Sequence, residues 1–265
     1  MTAGRANSNN RVMPFQLRRA FIAGLVFAAG FGRAVAQDAC HLETVGTAEV
    51  ASVRDGRTLM FRDGRELRLA AIETTDMAKP ALEALAAGKT LTLKRLGAET
   101  LDRYGRLVAF AFPPAPAPSL QQTMLEQGAA RVAARVGDKA CADALLASEQ
   151  AARAAHRGLW ADPNFAPLPA DHVTDIGAKR GIFALVEGRV LSVRESGSTI
   201  YANFSRRWSR GFSVTIASRL SRAFAAAGVE PHKLEGRTIR VRGWIEQRNG
   251  PIIDVTAPEQ IEFIN

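Results

Sequence analysis

The chain has 265 residues, 47% of them hydrophobic, and carries a formal net charge of +9 with a pI of about 10.3. That apolar fraction belongs to a globular protein and excludes a chain too polar to bury a core. The length fits one large domain or two of ordinary size. The basic balance points to a polyanionic partner, but part of it is concentrated at one end.

Residues 1–36 contain Arg5, Arg11, Arg18, Arg19 and Arg33 and no acidic residue. A basic segment, an apolar run Ala20–Gly32 and the small-residue site Ala34-Val35-Ala36 form the pattern of a secretory signal peptide, too short for a spanning helix. A start at Met13 would give this signal more usual proportions. Its removal would leave 30 basic and 26 acidic residues, net +4, and no membrane span. The expected location is then exported, periplasmic or secreted. In that setting Cys40 and Cys141, the only cysteines, read as one disulfide closing a loop of about 100 residues; the alternative is two unrelated buried thiols.

In chain order, Val50–Phe61 predicts a strand broken at Asp55-Gly56. Asp63-Gly64 predicts a tight hairpin into a strand Glu66–Ile72, where Leu67, Leu69 and Ala71 alternate with Arg68, Ala70 and Ile72. This strand runs into an acidic loop holding Glu73 and Asp76. A short helix Pro80–Ala87 stops at Gly88, and Lys89–Lys94 alternates as a half-buried strand. The Asp102–Gly105 turn leads to a strand Leu107–Phe112. Pro113–Pro118 is expected to be a stiff extended spacer. Helices are predicted from a Ser119 cap to Gly128 and over Lys139–Arg157. Three strands, a helix, two strands and packed helices describe a five-stranded OB-type barrel over residues 37–160.

Residues 161–181 hold Pro163, Pro167 and Pro169 without clear periodicity and read as a linker. The order then repeats over 182–265: strands Phe183–Val193, Thr199–Phe204 and Phe212–Ile216, a helix Ala217–Ala227, and strands Thr238–Gln247 and Pro251–Phe263 joined through Asn249-Gly250. The fold class is therefore mainly β with α, a second and smaller OB-like barrel following the first. Charge separates between the parts: net −2 over 37–178 and net +6 over 179–265.

Several of these stretches, in order, resemble the staphylococcal nuclease (thermonuclease) family: Val53–Thr58, Leu67–Asp76, the Asp102-Arg103-Tyr104-Gly105-Arg106 turn, and Ser148-Glu149 through Gly158-Leu159-Trp160. The resemblance covers about Val50–Trp160. It implies cleavage of DNA or RNA phosphodiesters with calcium, with Arg68 and Arg106 holding the phosphate, Asp76 handling the attacking water, and Asp55 and Glu73 as calcium ligands. Tyr104 belongs with the substrate-binding residues. The chemistry suits these residue types, because phosphoryl transfer needs fixed cations and a base for water, and arginine offers bidentate geometry.

One departure bears on the metal. Where the family reads Asp-Gly-Asp-Thr, this chain has Asp55-Gly56-Arg57-Thr58. A unit charge about 4 Å from a divalent ion costs roughly 8 kcal/mol at an effective dielectric near 20. A weak extracellular calcium site supplies only about 4–5.5 kcal/mol. Arg57 is therefore expected to pair with Asp55, Glu73 or Asp76.

In the second domain, Arg206, Arg207, Trp208 and Arg210 form a basic cluster with an aromatic, near Tyr201, Phe204 and Phe212. OB barrels bind single strands by stacking bases on aromatics and neutralising phosphates; a solvated hairpin with core aromatics is the alternative. Trp160 and Trp244 read as core. The functional expectation is an exported nucleic-acid phosphodiesterase with an altered calcium site, or a catalytically inactive nucleic-acid or envelope interaction protein on the same scaffold.

Overall fold

The computed structural model describes Met1 and residues 40–98, 101–207 and 210–264. The expected signal segment and Trp208 lie outside the described residues. Residues from Val35 onward group as one compact unit, built mainly of strands with few helices.

The N-terminal lobe contains β1 (Leu42–Asp55), β2 (Thr58–Phe61), β3 (Glu66–Leu69), β4 (Ile72–Thr74), α1 (Lys79–Ala86), β5 (Thr90–Leu96), β6 (Leu107–Phe112), α2 (Leu120–Glu126), β7 (Ala130–Val132) and α3 (Lys139–Ala154). Five of its strands hydrogen-bond in a ring, β1-β2-β3-β6-β5 and back to β1. The long β1 closes the ring by pairing with β5 through its first half and with β2 through its second. The Asp63-Gly64 turn forms as expected. The Phe61 N–H donates to the Arg65 carbonyl at 2.9 Å, and Gly64 takes a φ of +83° that a side chain would disfavour.

The expected strand Glu66–Ile72 is instead two strands. It breaks at Ala71, a non-glycine residue with φ +62°, and β4 turns away to pair with β7. Pro113–Pro118 contains a bend and a turn rather than an extended spacer. Ser119 caps α2 by accepting the Gln122 N–H at 3.1 Å. Buried Gln121 then bonds the backbone of Ala109 and Ala111, which ties α2 to β6. Cys40 and Cys141 form the disulfide, joining the start of β1 to the first turn of α3.

Residues 161–181 are built into structure: β8 (Leu168–Pro169) pairs with the next strand, and α4 (Val173–Ala178) packs against two later strands, Thr238–Gln247 and Pro251–Val255. The C-terminal lobe continues with β9 (Phe183–Arg189), β10 (Ser192–Ser196), β11 (Thr199–Asn203), β12 (Ser213–Ala217), α5 (Ser221–Ala226), β13 (Thr238–Gln247), β14 (Pro251–Val255) and β15 (Ile261–Phe263). The eight-stranded sheet runs β10-β11-β12-β14-β13-β9-β8, with β15 also on β13. Because β9 and β10 are separated by only Val190 and Leu191, the path leaves and returns to one stretch of chain. Both lobes thus share one strand order, with a parallel pair at the equivalent place, β3 with β6 and β12 with β14.

Each lobe has its own apolar core, and a third cluster of Ala152, Leu159, Trp160, Phe183 and Leu185 joins them. Across this junction Arg242, fully buried, donates to both oxygens of fully buried Glu149 at 2.9 and 3.0 Å and to Glu262 at 2.6 Å. Period two places Arg242 on the outer face of β13, where sequence alone predicts solvent; the N-terminal lobe covers that face. Burial pushes the Arg242 guanidinium down, but Glu149 and Glu262 outweigh it and hold its pKa above the usual arginine value. Trp160 is core, but Trp244 is half exposed, its ring edge-on to Phe183 on that same outer face.

Candidate functional site

The acidic loop is held against the β1–β2 turn by close packing. The Asp55 carboxylate accepts the Arg57 N–H at 2.9 Å, which closes the turn. Gly56 sits so near the loop that an added Cβ would lie 2.6 Å from the Thr75 carbonyl oxygen and 2.9 Å from Thr74 Oγ1. Only glycine lets the two segments meet. Arg57 then reaches across and donates to the Glu73 carboxylate at 2.6 Å and to the Ile72 carbonyl at 3.1 Å. Of the three acidic partners considered for Arg57, its side chain selects Glu73.

Arg68 stands mid-way along β3, opposite Thr58 on β2 and beside Val108 on β6. It is half-buried and has no ion pair or side-chain hydrogen bond among the described residues. Burial is the main force lowering its pKa, and the nearby guanidiniums of Arg57 and Arg106 push the same way; Glu73 and Asp102 offset part of this. By contrast Arg54, Arg65 and Arg106 each hold a carboxylate partner, Glu66, Asp63 and Asp102.

Asp102 organises the second arginine. One oxygen accepts the backbone N–H groups of Tyr104 and Arg106 at 2.9 and 3.1 Å, and the other accepts Arg106 Nε at 2.8 Å and Nη2 at 2.7 Å. Gly105, at φ +75°, allows the turn. The bond that Arg106 donates to Asp102 holds the Arg106 pKa above its usual value. Its Nη1 makes no hydrogen bond among the described residues and is left for another acceptor. Tyr104 is 65% exposed, with Arg103 and Arg106 over its ring at 4.7 and 5.1 Å. A groove of about 690 Å³ runs here between the β2–β3 hairpin and this turn, lined by Arg54, Asp55, Arg65, Tyr104 and Arg106 among others.

Asp76 opens the turn Asp76–Ala78, exposed, its carbonyl accepting the Lys79 N–H and its carboxylate without a hydrogen-bond partner among the described residues. The structure therefore brings Arg68, Arg106, Glu73 and Asp55 into one electrostatic neighbourhood, as the shifts of Arg68 and Arg106 record, and adds Arg57 to it.

The calcium expectation does not fit these residues. The Glu73 carboxylate is taken by the Arg57 guanidinium, and Asp55 accepts the Arg57 backbone. Among the described residues no three His, Cys, Asp or Glu side chains form a set that could hold a metal ion.

In the C-terminal lobe, Arg206, Arg207 and Arg210 are exposed on the β11–β12 connection, while Phe204 and Phe212 are buried with ring centroids 5.2 Å apart. The aromatics near the cluster are thus divided, two in the core and Tyr201 on the outer face. Sequence reasoning named Glu149 only as part of a family-like stretch and missed the other junction residues, Arg131, Arg242 and Glu262. Arg131 is buried between the rings of Phe165 and Phe183 and donates to the Phe183 carbonyl; burial lowers its pKa. The only available signal was Glu149, an acid within an otherwise apolar helical stripe.

A mainly β chain whose ringed sheet carries an arginine-rich cleft beside a carboxylate loop defines a nuclease-like scaffold. Residues 64–162 match the family model described as staphylococcal nuclease homologue. The match begins after the Asp55–Arg57 turn and ends before the C-terminal lobe. No curated protein matches the chain at a significant level.

Proposed function

We propose that this is an exported nucleic-acid-binding protein on a nuclease-like scaffold, holding backbone phosphate between Arg68 and Arg106 without calcium at Glu73. In this reading both ringed sheets are OB-type barrels, the first of residues 37–160 and the second of 182–265. The observation that carries it is Arg68, a half-buried cation with no ion pair or side-chain hydrogen bond among the described residues, in the electrostatic neighbourhood of Arg57 and Arg106. Repulsion from its neighbours raises the cost of that charge, and an anion in the cleft relieves it. Arg106 presents Nη1 to the same anion while Asp102 fixes its plane. Tyr104 offers an exposed ring beside them. The Cys40–Cys141 bridge and the N-terminal pattern support export.

The test uses fluorescein-labelled duplex DNA, with chelator present. Binding is expected to persist in chelator and to weaken with salt. Arg68→Ala should reduce affinity about tenfold or more and flatten the salt slope by about 0.9. Affinity that requires calcium, or that survives Arg68→Ala unchanged, would refute the assignment.

A second reading, a phosphodiesterase with Asp76 as base, draws on the exposed Asp76 carboxylate, which has no hydrogen-bond partner among the described residues. It is tested by cleavage of the same DNA with and without Asp76→Asn. Arg57 is the residue that sets this site apart, and Arg57→Asp should open a calcium site at Glu73. A calcium-dependent rise in melting temperature is the readout, and no rise would remove Arg57 from the role of resident cation.

A further inference from the structure

The outer face of the C-terminal sheet carries a second pocket, of about 440 Å³, within the range of ligand sites. Strand register builds it. Arg194, Tyr201 and Thr215 stand opposite one another across β10, β11 and β12, and Ser192, Asn203 and Ser213 form the next row on the same face. The alternate residues Val193, Ala202 and Val214 face the core. Polar residues therefore make the floor by geometry rather than by chance of exposure.

Asn203 and Ser213 are 3% and 5% exposed and both line the pocket. The Ser213 hydroxyl donates to Asn203 Oδ1 at 3.0 Å, and Asn203 Nδ2 donates to Ser192 Oγ at 3.3 Å, which fixes the amide's orientation. Arg194 on one side has no ion pair among the described residues, and Arg248 on the other has only Glu246 at 3.7 Å. Tyr201 is half-buried, with no ring or guanidinium stacked on it among the described residues. Gly250, on the β13–β14 turn, has the Gly211 carbonyl where its Cβ would stand, so this turn packs on the end of the β11–β12 connection. That connection adds exposed Arg206, Arg207 and Arg210.

We infer that this pocket is a single-stranded nucleic-acid site independent of the Arg68–Arg106 cleft, taking an unpaired base on Tyr201 with its phosphates on Arg194 and Arg248. A lone anion would need no aromatic floor, and duplex DNA presents no free base face to one. A ring, an oriented amide and two exposed arginines together match a nucleotide unit. The inference goes beyond the proposed cleft and stands or falls separately from it.

The experiment uses the full exported chain in an Arg68→Ala background, which silences the cleft, and measures anisotropy of a labelled single-stranded oligothymidine. Binding is expected to persist there, and unlabelled duplex of equal length should fail to compete. Tyr201→Leu should weaken it between about 5- and 150-fold, and Tyr201→Phe should restore it, since stacking needs the ring and not the hydroxyl. Arg194→Ala and Arg248→Ala, both exposed and separate from the core, should each flatten the salt slope by about 0.7. Loss of single-strand binding with Arg68→Ala alone would overturn the second site while leaving the cleft intact. Effective competition by duplex, or full affinity in the folded Arg194→Ala and Arg248→Ala variants, would overturn it equally.

Discussion

Replacing Glu149 by alanine attacks the contact that joins the lobes. The carboxylate, fully buried, accepts from Arg242 at 2.9 and 3.0 Å, from Arg153 at 3.0 Å and from the Val132 N–H at 2.6 Å. Alanine leaves Arg242 fully buried with only Glu262 and the Val132 carbonyl. Removing one partner of a buried pair costs about 3–5 kcal/mol, because the remaining charge is desolvated without compensation. At a urea dependence of about 3 kcal/mol per molar, the unfolding midpoint should fall by about 1–1.7 M. Tryptophan fluorescence follows this directly, since Trp160 is buried in the cluster at the junction, with Arg153 over its ring at 5.6 Å. The decisive comparison is Glu149→Leu with Arg242→Met, which removes both charges and should cost less than Glu149→Ala alone. A single-variant loss below about 1 kcal/mol, or a double variant costlier than the single, would refute the reasoning.

Gly56→Ala should force the Thr74–Ala78 loop from the β1–β2 turn, with about 1–3 kcal/mol of lost stability and weaker duplex binding; urea titration and anisotropy report the two effects, and an unchanged variant would show that the loop yields freely. Reduction of Cys40–Cys141, which closes a loop of 101 residues, should cost up to about 4–5 kcal/mol, read as a fall in melting temperature with reductant. Burial pushes the Glu262 carboxyl up, but Arg242, Arg153 and Arg240 outweigh it and hold its pKa below the usual glutamate value. Its stabilisation is therefore present above about pH 4.3, the unfolded value, and is lost as pH falls through the lower folded value. Glu262→Gln should flatten that acid limb of the stability curve, and an identical limb would count against the network.

Local patterns were legible where the chain decides its own conformation. Asp63-Gly64, the Ser119 cap and the alternation of Thr238–Gln247 depend on neighbours within a few residues, and they appear as expected. The pairing of Arg57 could be narrowed to three acids by electrostatics, and packing of the loop on Gly56 made the choice. What sequence could not supply was the second surface. Ala71 breaks an apparently continuous alternation because β7, sixty residues later, offers β4 a partner. Arg242 and Trp244 share the outer face of β13, yet one is sealed by the other lobe and one remains half exposed. For the same reason Arg194 attracted no notice as a binding residue, since its relation to Tyr201 exists only in the register of β10 with β11.

The junction also has a consequence in time. Glu149 and Arg242 are 93 residues apart, so the N-terminal lobe is synthesised with only Arg153, one turn along α3, facing Glu149 before its second counter-ion exists. Until β13 arrives, Glu149 must keep its water, and that face of α3 cannot become dry. Completion of the first lobe is thus a late event in the life of the chain, timed by the emergence of the second.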